Sequence, residues 1–219
     1  MNIIIGIVAI FTLIIFRLVN SSLVTSVKRL QNIDEFLEPV TSIEDVEFID
    51  AYKETARWAS EKGFILDIYC LLHAQNSGVP IKCISWWSEK YHCYLLFYLA
   101  EEGNIIKKAT DFHTRFEPKA TLTTGSSVDG LLLPRVKNDF MQCVIDAPLN
   151  EQFEQHIKST KSIAKKYNLL VTQSKYDLFL KLREAIKTQA DYITELPLWR
   201  HRGFYWYFVK RHLLKYRTY

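Results

Sequence analysis

Apolar and polar residues follow different periods in different stretches of this chain, and each period predicts a different element. The first stretch has no polar face at all: residues 3–16 are apolar except for Thr12, with Gly6 the only other soft spot, and Arg17 ends the run. With Leu18 and Val19 it holds seventeen residues. At about 1.5 Å per residue it reaches about 25 Å, against a hydrocarbon core of about 30 Å. That is short but sufficient, because Arg17 can snorkel to the headgroups and Leu23, Val24 and Val27 continue the helix into the interface. Residues 1–20 are therefore expected to form a transmembrane anchor. A cleaved signal peptide is the alternative. It is opposed by the lack of Lys or Arg before the run and by the poor small-x-small match of Val19-Asn20-Ser21-Ser22.

The next apolar residues keep helical spacing. Leu23, Val27, Leu30 and Leu37 predict a juxtamembrane helix over 21–40, ended by Pro39. Thr41 with Glu44, and Ser42 with Asp45, offer capping-box geometry for a second helix running to about Lys62, where Gly63 stops it. Its buried stripe should be Phe48, Tyr52, Ala56 and Ala59.

Strand-like runs follow at 64–73, 81–87, 91–100, 105–116, 120–124 and 140–145. They are separated by turn-forming segments, of which Glu101-Glu102-Gly103-Asn104 is the clearest hairpin signal. Strands in succession without helices between them predict an antiparallel meander, since a parallel connection needs a dozen residues or more and no gap before Leu131 provides them. Two helices close the body. Asn150 can cap the first, which faces Phe153, Ile157, Ala164 and Tyr167 one way. Ser174 with Asp177 opens the second, whose stripe from Leu178 to Ile193 ends at Pro197. The expected class is α+β: a meander of about five to six strands with flanking helices, residues 41–196 forming one domain and 197–219 a tail.

Charge changes the picture of that tail. Its six bases, Arg200, Arg202, Lys210, Arg211, Lys215 and Arg217, exceed the chain's net +4, leaving −2 for residues 1–195. A nucleic-acid-binding body would carry bases over a face of the folded domain, so nucleic acid is not an expected partner. On a helix at about 100° per residue, Trp206, Val209 and Leu213 fall with Tyr205, Phe208 and Tyr216 inside an arc of roughly 160°, and Lys210, Arg211, Lys215 and Arg217 lie outside it. Amphipathic, basic and aromatic, the tail is expected to contact an anionic leaflet; the plainer alternative is a terminal helix packed on the body, with its aromatics in the core and its bases solvated. Arg17, Lys28 and Arg29 follow the apolar run and no base precedes it, which places the N-terminus outside and the body in the cytoplasm. Cys70, Cys83, Cys93 and Cys143 sit in apolar runs without a Cys-x-x-Cys motif, as reduced core thiols do.

Candidate chemistry is sparse. Asp111, His113, Arg115 and Glu117 alternate along one strand and so share a face. The trio Asp111, His113 and Arg115 could orient a general base or bind an anionic group, whereas the plainer reading is the wet face of an antiparallel sheet. Cys70, His73, His92 and Cys93 fall at spacings that place partners on opposite faces, so no metal site is expected, and no motif for a cofactor is present. Leu131, Leu132 and Leu133 form an apolar triplet ended by Pro134, readable as a short buried segment, as a lip over a pocket for an apolar ligand such as a lipid, or as a partner-docking patch. Tyr69, Trp86, Tyr94, Phe97 and Tyr98 could line a hydrophobic cavity. The chain therefore reads as a membrane-anchored interaction or ligand-binding module without catalysis of its own; one alternative is a membrane-surface enzyme using Asp111, His113 and Arg115, and the other a pocket protein for an apolar ligand behind Leu131–Leu133.

Overall fold

One helix, α1 (Asn2–Gln31), carries the apolar run and the juxtamembrane segment without a break. Nothing between Arg17 and Gln31 interrupts helical propensity, so the apolar run and the segment after it are a single rod. In the computed structural model, residues 2–74, 78–210, 218 and 219 are described. The juxtamembrane helix stops at Gln31 rather than at Pro39; a single turn, α2 (Ile33–Phe36), leads into β1 (Leu37–Val40), where Pro39 is tolerated because the strand lies at the sheet's edge. The next helix, α3 (Val46–Glu61), begins later than Thr41 or Ser42 would set it. Its cap is Asp45, whose carboxylate accepts from the Phe48 N–H at 2.8 Å and is held by Lys82 at 2.6 Å. Gly63 ends this turn at φ +79°, as the sequence indicates.

The sheet follows the predicted meander closely: β2 (Ile65–Leu72), β3 (Ile81–Ser88), β4 (Cys93–Glu102), β5 (Ile105–Glu117) and β6 (Ala120–Gly125) are sequential antiparallel neighbours. The last long strand, β7 (Asp139–Cys143), runs parallel to β6. Residues 126–138, which include the short helix α4 (Asp129–Leu132), supply the crossover that a parallel pair requires. Two short strands, β1 and β8 (Leu170–Val171, beside β5), raise the count to eight, above the five or six expected.

Two helices complete the body. In α5 (Leu149–Tyr167) the capping position is Pro148, and Asn150 instead lies inside the helix, bonded to Glu154 at 2.8 Å. In α6 (Leu178–Glu195) Asp177 caps, accepting from Leu180 N–H. A 3₁₀ turn (Trp199–His201) and a π-helical turn (Tyr205–Val209) follow.

Helices cover both faces of the sheet. On one face α3 and α5 bring Phe48, Ala59 and Phe153 onto Ile84, Trp86, Leu95, Phe97 and Phe112. On the other, α2 and α6 bring Phe36 and Leu178 onto Cys83, Trp87, Tyr94 and Leu96. Period two therefore divides the five aromatics read as one cavity lining: Tyr69, Trp86 and Phe97 serve the first face, Tyr94 and Tyr98 the second. All four cysteines are buried and free.

Candidate functional site

The second face becomes polar towards β7, and register explains how. Three cross-strand rows run over β5, β6 and β7: Arg115 with Thr121 and Asp139, His113 with Thr123 and Met141, Asp111 with Gly125 and Cys143. The alternation read from the sequence thus holds, with Asp111, His113 and Arg115 on one face. That face is only partly wet: all three residues are half-buried. Helix α6 and the segment before it lie across it, which no local pattern on β5 could have indicated.

The three residues have separate environments. His113 Nδ1 lies 2.9 Å from the Tyr176 hydroxyl, and the rings meet edge to face. Burial pushes the imidazole down to about 4, so it is neutral near pH 7. Arg115 lies over the same ring, its guanidinium carbon 5.9 Å from the Tyr176 ring centre. Asp111 lies a row deeper, crowded against Gly125, where a β-carbon would come within 2.8 Å of its Oδ1. Burial raises its carboxyl to about 6, with Arg135 opposing the shift.

A cleft of about 390 Å³ opens between this sheet edge and α6. His113 and Arg115 line it; Asp111 does not, so the structure does not assemble the trio as one centre. The cleft also takes Lys119 and Thr121 from the β5–β6 turn and β6, Lys137 and Asp139 from the entry to β7, and Lys181, Glu184 and Ala185 from α6. Its two carboxylates are already engaged, Asp139 by Arg135 at 2.7 Å and by the Thr121 hydroxyl at 2.7 Å, Glu184 by Lys181 at 2.5 Å. Among the described residues, Arg115, Lys119 and Lys137 have no carboxylate partner. No grouping of three His, Cys, Asp or Glu side chains suited to a metal occurs among the described residues.

A buried polar network on the opposite face went unread in the sequence. His156 of α5 is fully buried, with Nε2 2.9 Å from the Thr114 hydroxyl and Nδ1 2.8 Å from the Thr124 hydroxyl. Gln142 donates to Thr124 at 2.8 Å, Ser159 donates to Gln142 at 2.9 Å, and Gln152 donates to the carbonyls of Thr110 and Thr124 at 2.7 and 2.8 Å. Gln152, His156 and Ser159 have the same helical spacing as a hydrophobic stripe. That spacing is the signal that could have found them, had polar residues been counted as candidate core.

The apolar run and the tail also assemble. Side chains from Ile4 to Leu18 are exposed wherever described, whereas Asn20, Leu23 and Val27 are buried against Ala190, Ile193, Trp199 and Trp206. Gly203 permits this docking: it donates its N–H to Asn20 Oδ1 at 2.8 Å, and a β-carbon there would meet Asn20 and the Val19 carbonyl at 3.0 Å. Two residues expected at a lipid interface point inward instead. Trp206 is only 3% exposed, because the α1–α6 groove offers it more apolar contact than a surface position would. Lys210 donates to the carbonyls of Leu131, Leu132 and Leu133 at 2.7, 2.9 and 3.4 Å, and burial lowers its pKa. The triplet is thus pinned beneath the tail rather than forming a free lip; Leu132 is buried, and none of the three lines the cleft. The tail's exposed apolar surface is carried by Phe204, Tyr205, Phe208 and Val209. Arg211, Leu213, Lys215 and Arg217 lie outside the described residues.

Comparison with protein-family models, with curated proteins and with solved structures finds no match for this chain. The functional reading rests on the chemistry of its own residues.

Proposed function

We propose that this protein is a single-pass membrane-anchored module whose body lies on the cytoplasmic side and binds a ligand or partner there without catalysis of its own. The observation that carries the proposal is the division of α1 into an exposed apolar half, up to Leu18, and a half buried in the body from Asn20 onward. Ile4, Ile7, Ile10, Phe11 and Leu13 are each more than 60% exposed, and a continuous apolar surface of this kind is costly in water and stable in hydrocarbon. The helix long and apolar enough to span is therefore also the one that the body leaves uncovered.

The tail supports the same arrangement. Phe204 lies 6.3 Å from Phe16, ring centre to ring centre, and stacks on Phe208 at 5.2 Å, so exposed aromatics cluster where α1 leaves the body. Arg17, Arg200 and Arg202, close to these rings in sequence, are exposed. Aromatic rings with flanking bases are the composition of a headgroup layer on an anionic leaflet. Arg17, Lys28 and Arg29 on the body side of the span support a cytoplasmic body. The cleft supports binding rather than turnover, because His113 is hydrogen-bonded to Tyr176 and Asp111 stands apart from it.

The test is alkaline carbonate extraction of membranes from cells expressing the full chain and a form lacking residues 1–17, a deletion that spares Asn20 and its contacts. The full chain stays in the membrane pellet and the shortened form is released. Recovery of the full chain in the supernatant would overturn the reading.

A further inference from the structure

We infer that the cleft between the β5–β7 edge and α6 is a binding site for a phosphate monoester on a small, partly apolar body; this rests on reading the module as a ligand binder and names the ligand's class. Asp139 and Glu184 are neutralised by Arg135 and Lys181, which leaves three cationic residues in the lining of the cleft, Arg115, Lys119 and Lys137, without a carboxylate partner among the described residues. They come from separate segments, β5, the β5–β6 turn and the entry to β7, so an anion bound in the cleft meets positive charge from three sides of the lining.

A phosphate monoester suits them better than a carboxylate. It carries about −1.5 to −2 at pH 7 and three acceptor oxygens, so it can satisfy a guanidinium and two ammoniums at once. His113 is neutral and adds no charge, but it fixes the Tyr176 ring on which Arg115 lies, orienting the guanidinium. Beside the polar Thr121, Asn138 and Thr188, the walls include Tyr176, Ala120, Val136 and Ala185, which are available to an aromatic or aliphatic body. A volume of about 390 Å³ is within the usual range of small-ligand pockets.

The experiment uses the full chain in phosphatidylcholine nanodiscs, which provide no net anionic headgroup, and titrates it calorimetrically with 1-naphthyl phosphate, 1-naphthoate and 1-naphthol. Three compounds with one ring system separate phosphate, carboxylate and apolar binding. The phosphate should bind at least about tenfold more tightly than either of the others. Lys119 and Lys137 are exposed, so reversing both, Lys119→Glu with Lys137→Glu, should weaken phosphate binding at least about tenfold while leaving the thermal unfolding midpoint in place. Ala185→Trp, which fills the cleft from α6, should abolish binding without touching a charge. Equal binding of naphthol, tighter binding of naphthoate, or phosphate binding that survives both changes would overturn the inference. Because the nanodisc holds the protein in a bilayer throughout, these outcomes are independent of the carbonate extraction.

Discussion

His113 and Tyr176 are joined by a 2.9 Å hydrogen bond between Nδ1 and the phenol, which ties β5 to the segment just before α6. The Tyr94 hydroxyl donates to the Tyr176 carbonyl at 2.5 Å, so Tyr176 is held at both ends. A residue on a wet sheet face would lose little on truncation, and that is what the sequence alone would predict for His113→Ala. The covered face predicts otherwise. His113→Ala should cost about 1–2 kcal/mol, and Tyr176→Phe, which keeps the ring under Arg115, about 1 kcal/mol, both read by urea unfolding.

Stability should depend on pH through three buried groups of opposite sense. Burial pushes His113 down to about 4 and His156 down to about 3, so the unfolded chain takes up protons at these two positions below about pH 6.5 while the folded chain resists. Their contribution is present at neutral pH and is lost as pH falls towards 3. Asp111 opposes them: its carboxyl is raised to about 6, so the folded state holds a proton that the unfolded state releases, and its contribution is lost as pH rises from 3.8 to 6. Asp111→Asn should therefore stabilise the protein at pH 7 by about 1–3 kcal/mol and give a steeper loss than wild type on acidification from pH 7 to 4. Parallel urea titrations across that range measure both effects.

The tail's docking on α1 and α6 makes a third prediction. Trp206→Ala removes the buried indole from the cluster with Leu23, Val27, Ala190 and Ile193 and should cost about 3–4 kcal/mol. Gly203→Ala should also destabilise, since its new methyl meets the Asn20 side chain and the Val19 carbonyl at 3.0 Å. Thermal unfolding of the detergent-solubilised protein reads both. Phe208→Ala, at an exposed position, should leave the midpoint within about a degree or two of wild type.

Local periodicity made the sheet legible. Strands β2 to β6 fall within a few residues of the runs read from alternation, and Gly63 acts as the helix stop that its position suggests, whereas the cap of α6 is Asp177, three residues later than the Ser174 of the expected capping box. The neighbours of a face were not legible, because they are set by long-range packing. The alternation of Asp111, His113 and Arg115 is the same whether water or α6 lies above it. Trp206 and Lys210 share this limit: a helical wheel separates apolar from basic residues but does not show that Trp206 turns to the α1–α6 groove or that Lys210 reaches three carbonyls on the Leu131–Leu133 segment. His156 was missed for another reason. Its partners, Thr114 and Thr124, sit on strands about forty and thirty residues away, and only their hydroxyls make a buried imidazole acceptable.

The central claim, an anchored protein with its body in the cytoplasm, is tested most directly by labelling a single reactive thiol from either side of the membrane. All four native cysteines are buried and free, and burial raises the thiols of Cys83, Cys93 and Cys143, so they form a quiet background. Glu102 lies at the exposed β4–β5 hairpin with its side chain 68% accessible, so Glu102→Cys supplies a surface thiol on the body. In cells expressing this variant, a membrane-impermeant maleimide should label the carbonate-resistant protein only after the membrane is permeabilised. Labelling of intact cells, or a protein that labels only in the soluble fraction, would contradict the account.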